Sequence, residues 1–233
     1  MSTPADSATT AGPPVPELPD LEASSAAEVV AWALDEYHPQ IALACSFQKE
    51  ESVLLDLLFK ANPDARVFAL DTDVLFEETY ELWRQTEARY DTTIERWHGP
   101  TLNEQAAEHG DRLWERDPSK CCGIRKVAPL RAGLSKLDAW ITGIRREQSP
   151  ARANAAKVEW DDAFGLVKVN PLADWTDKDV WRYVMAHDLP YNPLHDRGYS
   201  SIGCFPCTNP GEGRAGRWAS SDKIECGLHQ EDA

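Results

Sequence analysis

Positive charge is what this sequence is short of: 24 Lys and Arg stand against 39 Asp and Glu, a formal net charge of −15 over 233 residues. A balance this acidic excludes a chain that coats DNA or RNA, which needs a positive surface. It equally excludes one that docks on anionic lipid. It leaves room for a small anionic ligand, which feels the local field of a cleft more than the total charge. Long apolar runs are missing too, since no stretch approaches the roughly 18 residues that a membrane helix needs. Residues 1–20 lack the apolar run and basic start of a secretory signal and are rich in Pro, Ala, Ser and Thr, the composition of a disordered tail. The expected compartment is therefore the cytosol, where six cysteines do not build a disulfide framework. There is no internal repeat and no Walker A loop, because the Gly-Lys-Ser/Thr ending is absent.

What is present is unevenly placed. Residues 112–152 hold ten basic and four acidic side chains, a net of +6, so the remainder carries −21. A basic stretch is either a solvated surface or a pocket for phosphate or sulfate. With 42% hydrophobic residues, the chain can bury one sizeable core. Ser25-x-x-Glu28 reads as a capping box opening a helix to about Tyr37. Apolar runs predict strands over 41–45, 66–70, 92–97, 139–142 and 166–169, and helices over 52–61, 76–90, 120–136 and 176–187. Alternating strands and helices imply an α/β fold with a doubly wound, mostly parallel sheet. Ligands then bind beyond the carboxyl ends of the strands. That places Ser46 to Lys49, Asp71 to Asp73 and residues 143–152 on one edge. The domain reading is a tail over 1–20, a ligand-binding domain over 21–210 and a mobile C-terminal tail over 211–233.

Three constellations carry chemistry. Ser46-Phe-Gln-Lys49, between a strand and a helix, is either an ordinary turn or an anion site made from backbone N–H groups. In residues 143–152, a glycine at a strand end precedes Arg145, Arg146 and Arg152. Glycine admits close approach of a ligand, and arginines make bidentate contacts to phosphate or sulfate. The alternative is a surface salt-bridge cluster. Cys121-Cys122 and Cys204-x-x-Cys207 supply four thiolates. These suit zinc or a [4Fe–4S] cluster, and adjacent cysteines favour the cluster over structural zinc. No thioredoxin-like βαβ context surrounds the CxxC. Lys126, four residues after Cys122, would share that cysteine's helical face. Arg214 and Arg217 sit in a Gly-rich stretch, Cys226 lies near the C-terminus, and Cys45 reads as a small core residue.

Taken together, Lys120-Cys-Cys-Gly-Ile-Arg-Lys126, Thr142-Gly-Ile-Arg-Arg-Glu-Gln-Ser149, Cys204-Phe-Pro-Cys207 and Glu225-Cys-Gly-Leu-His229 resemble the assimilatory sulfonucleotide reductases. The resemblance runs from about Gln40 to His229. One branch of that family uses adenosine 5′-phosphosulfate and holds a [4Fe–4S] cluster on a Cys-Cys plus Cys-x-x-Cys set. The other uses the 3′-phosphorylated nucleotide and lacks those cysteines. With all four present, the chain is similar to the adenosine 5′-phosphosulfate branch. The resemblance implies an adenine nucleotide alpha hydrolase-like fold and a homo-oligomer, dimer or tetramer. It implies that the cluster rests on Cys121, Cys122, Cys204 and Cys207. Cys226 would be the nucleophile, forming an S-sulfonate that reduced thioredoxin releases as sulfite. Lys126, Arg214 and Arg217 would face the phosphosulfate. Ser46, Gln48, Lys49, Asp71, Gly143, Arg145, Arg146, Arg152 and His229 would bind the substrate.

Two departures stand out. Phe47 occupies the first turn, where many relatives place glycine, and Asp73 follows Leu70-Asp-Thr72, where glycine is common. The runner-up within the class is a 3′-phosphoadenosine 5′-phosphosulfate reductase. An ATP pyrophosphatase-type tRNA thiolase would want a Ser-Gly-Gly-x-Asp-Ser loop that residues 46–52 do not supply. A non-catalytic metal-binding or redox-sensing protein gives no reason for the Glu225-Cys-Gly-Leu-His229 ending.

Overall fold

A computed structural model describes residues 16–218. Cys226 and His229 lie outside the described residues. The elements, in order, are α1 (Ala26–Tyr37), β1 (Ile41–Ala44), α2 (Lys49–Ala61), β2 (Arg66–Asp71), α3 (Glu77–Tyr90), β3 (Glu95–His98), α4 (Leu102–His109), α5 (Leu113–Arg116) and α6 (Pro118–Cys122). A π-helical turn (Gly123–Val127) leads into α7 (Ala128–Leu134), and β4 (Ala139–Ile141), β5 (Val158–Asp161), β6 (Leu166–Val169) and α8 (Asp177–Ala186) follow. Six strands form one sheet in the order β3-β2-β1-β4-β6-β5. All pairings are parallel except β5 with β6. This is the doubly wound α/β architecture expected.

Alternation along each strand builds two layers. Ile41, Leu43, Val67, Ala69, Ala139 and Ile141 face a core shared with α1, α2, α3 and α8. Ala42, Phe68 and Trp140 face the other side, against Leu130 and Leu134 of α7. There Phe68 stacks on Trp97 with ring centroids 3.6 Å apart. A Cβ on Gly133 would lie 2.2 Å from the Trp97 ring, so only glycine lets α7 settle on the sheet. The strand order reverses between β1 and β4, which is where such a sheet opens a ligand crevice.

Four details differ from the sequence expectation. The helix over 120–136 is three segments, because residues 123–127 open into a π turn in which Ala128 N–H bonds Gly123 O. In that turn the residue one i→i+5 step beyond Cys121 is Lys126. Helix α2 begins at Lys49 rather than Ser52. Strand β5 and helix α4 are additional: β5 is a short edge strand whose exposure alternates only partly, and α4 buries just Gln105. Residues 211–218, expected to open the mobile tail, lie against the body. Thr208 bridges Arg217, Trp218 N–H donates to Cys207 O at 2.8 Å, and Trp218 is buried.

Candidate active site

The cleft lies at the carboxyl ends of β1, β2 and β4. Ala44 to Gln48 form one wall, Ala69 and Leu70 the floor, and Thr142 to Ile144 the opposite wall. Lys126, Arg152, Arg214 and Arg217 reach this cleft from three separate stretches of chain. Four cations therefore gather at one cleft inside a chain of net negative charge, an arrangement suited to an anionic ligand.

Arg217 is held at several points. Its guanidinium stacks on Trp218, 4.5 Å from the ring centroid, and Nη1 donates to Ser201 Oγ and Ile202 O, each at 3.2 Å. A Cβ on Gly203 would fall 2.4 Å from Arg217 Nη2, so glycine here makes room for the cation. Arg214 lies 5.8 Å from the same Trp218 ring.

Behind Lys126 and Arg217 is a second cavity lined by all four thiols of Cys121, Cys122, Cys204 and Cys207. Lys126 and Arg217 line both cavities and so stand between cleft and thiols. Burial, reinforced by the neighbouring Cys122 and Cys204, pushes the Cys121 thiol up to about 11. Burial and the other three cysteines push Cys207 up to about 12, with Lys126 opposing. Cys121 and Cys207 therefore resist ionisation unless a cationic centre accepts them. Zinc needs its sulfurs about 2.3 Å from one point. Among the described residues no group of three or more Cys, His, Asp or Glu is placed to hold a single metal ion. The four cysteines nonetheless share one cavity, and soft thiolates are the donor set that a metal centre could use there.

The first turn explains itself. Phe47 adopts φ +58°, and Asp73 adopts φ +55°. Both are positions where glycine would be free of strain. Here the left-handed conformations are held by other means. The Phe47 ring is buried and stacks on Trp83, and Asp73 pairs with the buried Arg125. Arg125 also donates to Thr72 O at 2.7 Å and to Pro100 O at 3.0 Å, tying the π turn to the end of β2.

Two acidic residues also line the cleft. Glu51 Oε2 accepts from Ser46 Oγ at 2.9 Å and from Gln48 N–H at 3.1 Å. Burial, with Glu50 alongside, pushes the Glu51 carboxyl up to about 8, so it is largely neutral at pH 7 and repels an anion little. A Cβ on Gly143 would meet Glu51 Oε1 at 2.4 Å. Gly143 therefore accommodates Glu51, where the sequence suggested room for a ligand.

Of the substrate-binding candidates, Ser46, Gln48, Gly143 and Arg152 line the cleft, and four others point elsewhere. Lys49 is buried against Asp177, 5.3 Å from the Trp181 ring centroid. Asp71 is buried under Tyr80 and Arg96. Arg145 is buried on Glu50 at 2.9 Å and Asp177 at 3.1 Å. Arg146 pairs with Glu22 at 2.5 Å on the outer side. A desolvated guanidinium or ammonium takes a nearby carboxylate, and Lys49 and Arg145 are engaged in this way by Asp177 and Glu50. Sequence reading missed Arg125, Gln148, Glu51 and Trp218. Arg125 and Gln148 fall inside the quoted motifs, but nothing in a motif says which member turns inward.

Residues 40–210 match the phosphoadenosine phosphosulfate reductase domain family. The chain belongs to the phosphoadenosine phosphosulfate reductase family. A curated relative, the adenosine 5′-phosphosulfate reductase of Geobacillus thermodenitrificans, is 51% identical over 92% of this chain and 94% of its own. Among solved structures, the phosphoadenylyl-sulfate reductase of Candida auris, a phosphate complex, superposes with a TM-score of 0.72. It is 30% identical, over 81% of this chain and 94% of its own. The FMN adenylyltransferase of Candida glabrata shares the fold alone, at a TM-score of 0.56 and 18% identity over 80% of this chain and 65% of its own. Within the phosphoadenosine phosphosulfate reductase family, the cleft between β1 and β4 and the adjoining thiols are the candidate active site.

Proposed function

We propose that the chain reduces adenosine 5′-phosphosulfate to sulfite and AMP in sulfate assimilation, in the cytosol, with reduced thioredoxin as the electron source. The observation that carries this reading is the placement of Lys126 and Arg217 on the partition between an adenylate-type cleft and four crowded thiols. The names of relatives at about half identity support it.

The chemistry follows from charge. An anionic thiolate must approach an anionic sulfate, which requires fixed cations around the developing negative charge. Lys126, Arg214 and Arg217 provide them, while Arg152 binds the nucleotide in the ground state and the transition state alike. The Cys226 thiolate attacks the sulfate sulfur, the S–O bond to AMP breaks, and AMP leaves with the electron pair. The product is a Cys226 S-sulfonate. A thioredoxin thiolate then attacks Cys226 Sγ, and sulfite departs with the S–S bonding pair. The second thioredoxin thiol resolves the mixed disulfide, so the dithiol is oxidised as sulfur passes from sulfate to sulfite.

Cys121, Cys122, Cys204 and Cys207 would hold a [4Fe–4S] cluster. When bound, it supplies charge and a cross-link beside Lys126. That role is electrostatic, since thioredoxin supplies the electrons. The four-thiol set also favours adenosine 5′-phosphosulfate over its 3′-phosphorylated form.

The test is Cys226→Ser, incubated with adenosine 5′-phosphosulfate and reduced thioredoxin. Sulfite release is expected to vanish while nucleotide binding persists. Normal turnover in that variant would sink the mechanism. Parallel turnover of the 3′-phosphorylated nucleotide separates the two branches, and an optical spectrum of anaerobically purified protein checks the cluster.

A further inference from the structure

Gln148 is uncharged and lies between the buried Arg145 and the cleft-lining Arg152. Its amide makes four hydrogen bonds. Oε1 accepts from Arg145 N–H at 3.1 Å and from Arg152 Nη1 at 2.5 Å. Nε2 donates to Glu50 Oε1 and to Gly143 O, both at 3.1 Å. Two donors on one side and two acceptors on the other determine the amide's orientation. A flipped amide would set N–H against N–H and C=O against carboxylate. Glu50 is held in turn by Arg145 Nε at 2.9 Å, and Arg145 is anchored on Asp177 at the start of α8. A connected network thus runs from α8 through Arg145, Glu50 and Gln148 to Arg152. Glu50 and Arg145 are both buried.

We propose that Gln148 is a positioning residue for sulfonucleotide binding, its amide holding the Arg152 guanidinium in the cleft before the ligand arrives. The inference rests on the reading of the cleft given above. An arginine side chain has much rotamer freedom, and immobilising such a side chain costs about 0.5–1.5 kcal/mol on binding. Holding it beforehand removes that cost from the binding step. The neutral amide is required. A carboxylate at 148 would keep the acceptor for Arg152 but would face Glu50 and the Gly143 carbonyl.

The test measures KM and kcat for sulfite release in the parent, Gln148→Met, Arg152→Met and the double variant. Methionine is close in length and removes all four hydrogen bonds. Gln148→Met is expected to raise KM for adenosine 5′-phosphosulfate by up to about tenfold, the upper end of that immobilisation cost. Its kcat is expected to stay within about threefold, the pattern of lost uniform binding. The double variant is expected to be no worse than Arg152→Met, because Gln148 acts through Arg152. Gln148→Asn, one methylene shorter, is the second variant and is expected to show the same split; either variant that keeps the parent's melting temperature reads the result. An unchanged KM, or effects that multiply in the double variant, overturns the inference with an active parent. A parent inert toward adenosine 5′-phosphosulfate overturns the reading of the cleft and the inference with it.

Discussion

Replacing Gly203 by alanine adds one methyl group, and the structure says where that methyl goes. The new Cβ would lie 2.4 Å from Arg217 Nη2, 2.5 Å from Cζ and 2.9 Å from Nε. Non-bonded carbon contacts are comfortable from about 3.5 Å, so the guanidinium must retreat by about 1 Å. It has little slack, because Nη1 is already 3.2 Å from Ser201 Oγ and from Ile202 O. A further retreat of that size breaks both bonds. The clashing atoms are the far end of a flexible side chain, so the fold survives, but a cation at the cleft is displaced. A misplacement of about 1 Å at a reacting centre costs up to about 100-fold, and a hydrogen bond to a charged group is worth about 1.5–3 kcal/mol. Gly203→Ala is therefore expected to lower kcat/KM for sulfite release by about 10- to 100-fold, with a melting temperature within a few degrees of the parent. In the double variant with Arg217→Ala, the alanine at 203 is expected to add nothing further. The assay is initial-rate sulfite release with reduced thioredoxin, beside a thermal melt. Full activity in Gly203→Ala with an unchanged melt would refute the reasoning.

Glu51 predicts a pH dependence of stability. Its folded pKa of about 8 exceeds the ordinary 4.5, so between those values the folded state binds more protons than the unfolded one. Stability therefore falls as pH rises from about 4.5 to 8. Glu51→Gln is expected to flatten that fall, read from urea midpoints at pH 5 and pH 8.5; parallel shifts of parent and variant would count against it. Gly133→Ala drives a Cβ into the Trp97 ring, already stacked on Phe68. Such overpacking costs about 1–3 kcal/mol, a drop of about 2–10 °C in melting temperature. Asp73 sits at φ +55°, so Asp73→Gly loses only the Arg125 pair whereas Asp73→Ala adds left-handed strain. The alanine variant is expected to be about 1 kcal/mol the less stable of the two by denaturant titration.

Much of the fold was legible because it rests on local pattern. Buried runs such as Ile41-Ala-Leu-Ala44 alternate with capped amphipathic helices such as α1, and that alternation leaves few topologies. The cysteine pairs were legible because thiols at those spacings have few uses. The π turn was not, since no residue between Gly123 and Val127 forbids an ordinary helix. Strand β5 was missed because four residues at a sheet edge carry little periodic signal.

The site divides along the same line. From sequence alone came the chemical class: soft thiols, a basic segment within an acidic chain, and polar turns at strand ends. Tertiary structure decided which cations face the cleft. Arg145, Arg146 and Lys49 turn to Glu50, Glu22 and Asp177, while Arg152, Lys126, Arg214 and Arg217 line the cavity. The reason is physical. Pairing with a carboxylate offsets the cost of burying the Arg145 and Lys49 charges. Arg145 finds Glu50 95 positions away along the chain, a proximity that only the folded sheet creates.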